Sequence, residues 1–474
     1  MKYFNKIKQY KNIILWGLII LFAGAYVSLS FNNNIWGDEA YTIDLLRNCR
    51  SMGDVWLFTA QDVHPPLYYM IVQVFTNIFG LHLTLLKIVS IIPILITMAI
   101  GATYITKKYH FKTGLLFILM IGVIPCSMEY AVQVRMYSWT ILFVTICGLA
   151  SYEAYVNGKN KAYLVMGLSG VACAYTHYFA FVSILWIYGL LFLALLFTKR
   201  KELLKWLFMV MGSILLFSPW IPFMKGQVSG VSGSYWIPEI TKKVIVSYFG
   251  WLFETKLPYA PLMLQILFLV AILLVTIHIV RNRKNKEAFI EDIFALCCLL
   301  IPILTITTGV VLSQIIRPIF IIRYVMPCIG LLCLFFAKAM SRLDKKTFIA
   351  LVLFCICLGF VDYENTYQEE YLSTTVDEIE EFFQMNLGEN DVIVYNFRTY
   401  DFIYEYYFDK DKLIYIEDMD FSVNFDNIWF LDTAFNLEPS KETLEANGLS
   451  MFHIGNYNIE YNPFSLYQIC KQTN

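Results

Sequence analysis

Apolar stretches about as long as a bilayer is thick recur along most of this chain, and such a sequence folds readily only as a bundle of membrane-crossing helices. They run at 12–31, 83–106, 112–127, 136–156, 162–177, 179–198, 204–221, 259–280, 289–313, 324–340 and 347–361. A helix needs about 20 mostly apolar residues to cross roughly 30 Å of hydrocarbon, and within lipid its backbone must satisfy itself. About eleven spans are therefore predicted. The chain is 58% hydrophobic and only 15% charged, more apolar material than a water-soluble domain can bury. Its 32 Tyr and 38 Phe suit interfacial belts and aromatic-lined cavities. Cys147, Cys173, Cys297, Cys298, Cys355 and Cys357 fall inside apolar runs without ligand-like spacing, so they read as small membrane-core residues. The first run follows Lys2, Lys6, Lys8 and Lys11 and lacks a small-residue cleavage site, which predicts a retained signal anchor.

The charges between runs give a topology. Every second connection is basic: Lys107, Lys108 and Lys112; Lys159 and Lys161; Lys199, Arg200, Lys201 and Lys205; Arg281, Arg283, Lys284 and Lys286; Lys338, Arg342, Lys345 and Lys346. By the positive-inside rule these loops and the N-terminus are expected in the cytoplasm. The alternation holds only if PPLYYMIVQVFTNIFG, residues 65–80, does not cross. It is short, opens on two prolines and carries Tyr68, Tyr69, Gln73 and Asn77, so it reads as a helix lying in the outer interface. The loops at 32–82, 128–135, 222–258 and 314–323 then share the extracytoplasmic side with the C-terminal tail.

That tail, residues 362–474, changes character: 23 acidic residues face 5 basic ones. It is expected to be a separate solvated domain, leaving 1–361 as the membrane domain. Thr374 with Asp377 and Glu378 marks a helix start, Val376, Ile379, Phe383 and Leu387 recur at helical spacing, and Gly388 ends it. DVIVYNF (391–397), LIYI (413–416) and NIWFLD (427–432) read as strands, making a small α/β domain.

Polar residues on the predicted outer side gather at span ends. They include Asp38, Glu39, Asp62 and His64, then Glu129, Gln133, Arg135 and Tyr137, then His177 and Tyr178, and finally Arg317, Arg323 and Tyr324. Taken singly, each has an ordinary explanation: solvated carboxylates, interface histidines, snorkelling arginines or a helix cap. Charges at membrane depth are costly, so a convergent set reads as functional.

The joint pattern is more specific. WGDEAY (36–41), DVHPPLYY (62–69), YAVQVRMYS (130–138) and RYVMP (323–327), with THYF (176–179) and SPWIP (218–222) as softer matches, resemble the polyprenyl-phosphate-sugar-dependent membrane glycosyltransferases of the GT-C class. That class includes protein O-mannosyltransferases, their bacterial family 39 relatives and the lipid A aminoarabinose transferases. The resemblance covers residues 10–345 and implies two juxtamembrane helices in the first outer loop, with PPLYYMIVQVF as the second. Relatives often read YSQEARMY where this chain reads YAVQVRMY, so Gln133 stands at an acidic position and Glu129 lies close by.

Such chemistry needs a base for the acceptor hydroxyl and a cationic clamp for the departing phosphate. The resemblance implies Asp38 as base and Glu39 as its orienter, with His64, Arg135, Tyr137, Arg323 and Tyr324 around the donor phosphate. Glu129, Gln133, His177 and Tyr178 are further site candidates. No cofactor is called for; a divalent metal ion, if one serves, falls to Asp38 and Glu39, a weak donor set. The donor would be a sugar on a polyprenyl phosphate, taken from among the membrane lipids. The acceptor would be an extracytoplasmic lipid, glycan, cell-wall polymer or protein. Nothing points to nucleic acid: the net charge is −1. A flippase of lipid-linked glycans would favour repeated halves and midplane polar residues, neither of which is visible. An O-antigen-ligase-like glycan transferase is the other alternative, though nothing about it requires the DE plus HPP pairing.

Overall fold

The computed structural model describes residues 2–31, 35–231, 237, 239–368, 375–433, 437–459 and 462–471. The chain packs as two compact units, one of residues 1–31 with 49–366 and the other of residues 32–48 with 367–474. The expected boundary at 361/362 did not foresee the exchange of 32–48, the segment that carries WGDEAY.

Among its described residues the first unit is built of helices joined by short irregular segments, with no strand. Among the described residues, nine helices are long and apolar enough to cross a membrane, or ten when the bent pair Phe111–Val123 and Cys126–Val132 is taken as one span. This chain is a multi-pass membrane protein. The 68° bend has a local cause: Ile124, before Pro125, is pushed out of the helical region to φ −63°, ψ 121°. The count falls short of eleven at run 162–177, which forms the helix Asn160–Ala174. Its 15 residues rise only about 22 Å, less than the hydrocarbon thickness. Gly167, Gly170, Cys173 and Ala174 are buried there and allow close packing. The segment 65–80 contains the 13-residue helix Leu67–Phe79, too short to span. The first loop is more helical than expected, with Gly37–Asn48 and Met52–Ala60 preceding it.

The second unit is α/β. A five-stranded sheet has the order β2-β1-β3-β5-β4, with β1 Val392–Tyr395, β2 Leu413–Tyr415, β3 Ile428–Asp432, β4 Leu449–Ile459 and β5 Asn462–Lys471. β1 runs parallel to β2 and β3, and β5 is antiparallel to β3 and β4. Val392, Val394, Ile428, Phe430, Leu449 and Ile469 form its core. The first three strands lie where the apolar runs predicted. The β4–β5 hairpin was not expected: a register shift between His453 and Gly455 breaks the period-two alternation that sequence reading relies on. The helix Thr375–Asn386 also forms as predicted, while Thr374 lies outside the described residues.

Candidate active site

Within the helical unit, two loops are tied together by main chain. Pro65 and Pro66 set the approach to the helix Leu67–Phe79, and Leu67 N–H donates to the Tyr175 carbonyl at 2.8 Å. Tyr175 begins the turn that closes Asn160–Ala174 and leads into Tyr178–Thr198. The bond places His64 beside His177, ring centroids 6.1 Å apart.

His64 is oriented from behind. Asp62 accepts from the His64 backbone at 3.2 Å and faces its Nδ1 at 2.9 Å. His64 Nε2 lies 3.3 Å from Arg135 Nη2. Guanidinium can only donate, so Nε2 accepts and Nδ1 carries the proton toward Asp62. Burial raises the Asp62 carboxyl, but His64, the Val63 backbone and Arg135 outweigh it and hold the group below its ordinary range. Arg135 sits on the irregular segment between the helices Pro125–Val132 and Tyr137–Asn157 and is 1% exposed. Its other terminal nitrogen donates to the Tyr69 hydroxyl at 3.4 Å. A guanidinium this deeply buried needs polar partners.

Aromatic rings complete the cluster. Tyr324 packs against His177 at 4.9 Å and stacks on Phe179 at 5.2 Å; Tyr137 lies 6.1 Å from His177 and 5.0 Å from Tyr130. His177 caps its helix, its Nδ1 accepting from Phe179 N–H at 3.1 Å, so any ring proton is on Nε2. Arg323 acts electrostatically on both His177 and Tyr130. A cavity of about 240 Å³ opens beside this cluster, with His64, His177 and Tyr324 on its polar wall and Phe181, Leu312 and Ile316 among its apolar ones. Tyr178 also lines it, but its hydroxyl is held by Gln227 and by Trp220 Nε1 at 3.0 Å, which makes it a wall. Glu129 accepts from Gln133 Nε2 at 3.4 Å, one residue from Tyr130.

His64, Arg135, Tyr137, His177, Tyr324 and, by its field, Arg323 are thus brought together. Two further members were named from sequence without a role beside the phosphate, Asp62 among the outer polar residues and Tyr69 on the interfacial helix. Asp62 and Tyr69 both lie in the DVHPPLYY stretch, and the signal was their spacing of two and five residues from His64.

Asp38 and Glu39 belong to the other unit, in the first turn of the helix Gly37–Asn48, where negative charge suits the helix dipole. Glu39 is buried and accepts from Trp36 N–H at 3.2 Å, a capping contact. This helix packs on Asp401–Tyr407: Tyr41 meets Phe402 at 5.5 Å, and Arg47 donates to the Glu405 carbonyl at 3.1 Å. No group of three or more His, Cys, Asp or Glu able to hold a metal occurs among the described residues. Of the two carboxylates named for a metal, Glu39 is engaged by its contact with Trp36.

No family model matches the sequence, and no curated protein matches it either. Solved structures do. Two crystal structures of ArnT from Cupriavidus metallidurans align with a TM-score of 0.61 each. The apo form is 11% identical and covers 95% of this chain and 98% of its own; the form bound to undecaprenyl phosphate is 12% identical and covers 96% and 97%. At such identities the likeness establishes the fold, and it does so over both units. The chain has the GT-C fold that its motifs implied.

Proposed function

We propose that this GT-C-fold chain is a membrane glycosyltransferase that moves a sugar from a polyprenyl-phosphate carrier to an acceptor hydroxyl in one inverting displacement. The observation that carries the reading is an apolar cavity whose polar wall is His64, backed by buried Arg135. A lipid-borne phosphate asks for that combination: hydrocarbon walls, and donors fixed in place before charge develops. A similar fold crystallised with undecaprenyl phosphate supports the same class of carrier.

In the proposed step the acceptor oxygen attacks the anomeric carbon as the bond to the phosphate oxygen breaks. The electron pair leaves with the phosphate, where Arg135 and Arg323 offset the added charge and His64 and Tyr324 supply further contacts. The acceptor proton passes to Asp38, assigned on its motif. Tyr137 lies in the aromatic cluster beside His177, and Glu39, like Asp38, is assigned on its motif alone. Cytoplasmic basic loops and an extracytoplasmic C-terminal tail follow from the charge pattern, so the acceptor is met on the extracytoplasmic side.

The test is release of labelled sugar from a panel of synthetic polyprenyl-phosphate sugars by the protein in nanodiscs, with cell-envelope acceptor. One donor should be consumed by wild type, and Asp38→Asn should lower the rate by about 10² to 10⁴ while remaining folded. Consumption of none by folded protein would move glycan ligation or lipid transport ahead.

A further inference from the structure

A second groove lies away from the residues of the proposed chemistry, between the helices Asn160–Ala174 and Leu203–Phe217. Both helices leave basic loops and run side by side. They approach closely at Gly167, where a Cβ would meet Met209 Cγ at 3.2 Å and Ser213 Oγ at 3.4 Å. Gly212, by contrast, faces open space. The result is a cavity of about 370 Å³. Its outer walls include Leu164, 61% exposed, and Phe208, 64% exposed. In a multi-pass membrane protein such side chains face hydrocarbon.

One end is cationic. Lys205 reaches the mouth, donating to the Gly158 carbonyl at 2.7 Å and pairing with Glu202 at 3.1 Å. Segments 158–161 and 199–205 together hold Lys159, Lys161, Lys199, Arg200, Lys201 and Lys205 against Glu202. The excess of positive charge therefore persists after the Lys205–Glu202 pair is formed. From Lys205 to Leu216 the groove follows eleven helical steps, about 16 Å, or half of a roughly 30 Å hydrocarbon core. Its depth is that of one leaflet.

We infer that this groove binds one anionic glycerophospholipid, its phosphate at the Lys205 end and an acyl chain along Gly167 and Gly212. A lysine ammonium engages phosphate as a point charge, and the dense basic loops attract anionic headgroups. The site is independent of the transferase reading and is tested without turnover.

The protein is reconstituted in nanodiscs of phosphatidylcholine containing a minority of phosphatidylglycerol, then re-extracted, and bound lipid is counted by native mass spectrometry. Wild type should retain phosphatidylglycerol selectively. Lys205→Ala should weaken retention about fivefold, the effect of one lysine near an anionic surface. Gly212→Phe, whose side chain enters open space, should abolish it with thermal unfolding unchanged. Excess inorganic phosphate should not displace the lipid, because the groove holds the chain as well. Absence of selective retention, or equal retention in both variants, overturns the inference. So does displacement by undecaprenyl phosphate at equal concentration, which would assign the groove to the donor carrier. A loss of dimer mass in Gly212→Phe would assign it to a second copy and overturn it too.

Discussion

The two units solve opposite solvent problems. The helical unit leaves Phe197 77% and Leu215 72% exposed, yet buries Arg135 and Asp292, the latter paired with Arg342 and His278. The α/β unit buries Val394, Phe430 and Leu466 completely and leaves most of its carboxylates in water. One turns apolar surface outward and pairs its costly buried polar groups; the other is held by an ordinary apolar core. The contrast teaches that exposure has no fixed meaning in this chain. An exposed Leu in the first unit is satisfied, and a buried Arg there needs polar partners.

The largest break in that contrast should come from Arg135. Arg135→Ala removes a pre-set donor from the proposed phosphate clamp and should lower donor turnover about 10² to 10³-fold. Single-turnover kinetics on the consumed donor checks this, with unchanged elution on gel filtration as the folding control. In the sheet unit the equivalent injury is apolar. Phe430→Ala opens a cavity in a fully buried core and should cost about 3 to 5 kcal/mol, read as lost amide-exchange protection of β1 and β3.

A paired substitution sharpens the comparison further. Leu215 and Met385 are almost equally exposed, at 72% and 77%. Leu215→Asp, midway along the candidate span Arg200–Ser229, should raise the apparent insertion free energy by about 3 kcal/mol in a glycosylation-mapping assay. Met385→Asp, on the helix Thr375–Asn386, should shift stability by no more than about 0.5 kcal/mol. Equal effects would show that both surfaces meet the same solvent.

The smallest effect concerns Asp62. Its carboxyl is held below the ordinary range in the folded chain, so the unfolded state binds the proton more readily. The stabilisation is present above the unfolded value of about 3.9 and is lost as pH falls through the lower folded value. The gap between wild type and Asp62→Asn in thermal unfolding should therefore be constant near neutrality and close below about pH 4. A gap that widens on acidification would contradict the assignment.

Several elements of this division were legible in order along the chain. Apolar length against bilayer thickness located the spans, and the abrupt acidic shift after residue 361 located the sheet domain. The short run 162–177 escaped because its apolar count concealed the polar turn Tyr175-Thr176-His177, which ends the helix early. The β4–β5 hairpin escaped because the irregularity at His453/Gly455 disrupts alternation. Of the site, HPP and the QVRMY stretch were visible as motifs, but nothing local says that Leu67 N–H bonds Tyr175 or that His64 meets Arg135.

The sequence by itself determined which segments live in lipid and which in water, because transfer energy is summed over neighbouring residues and needs no knowledge of the fold. Only the tertiary structure decided that the loops bearing His64, Arg135, His177 and Tyr324 converge, and that the helix Gly37–Asn48 packs with the sheet unit, as Arg47 does with Glu405, 358 residues later in the chain. Those choices depend on shape and hydrogen-bond complementarity between surfaces far apart in sequence, which no local sum contains.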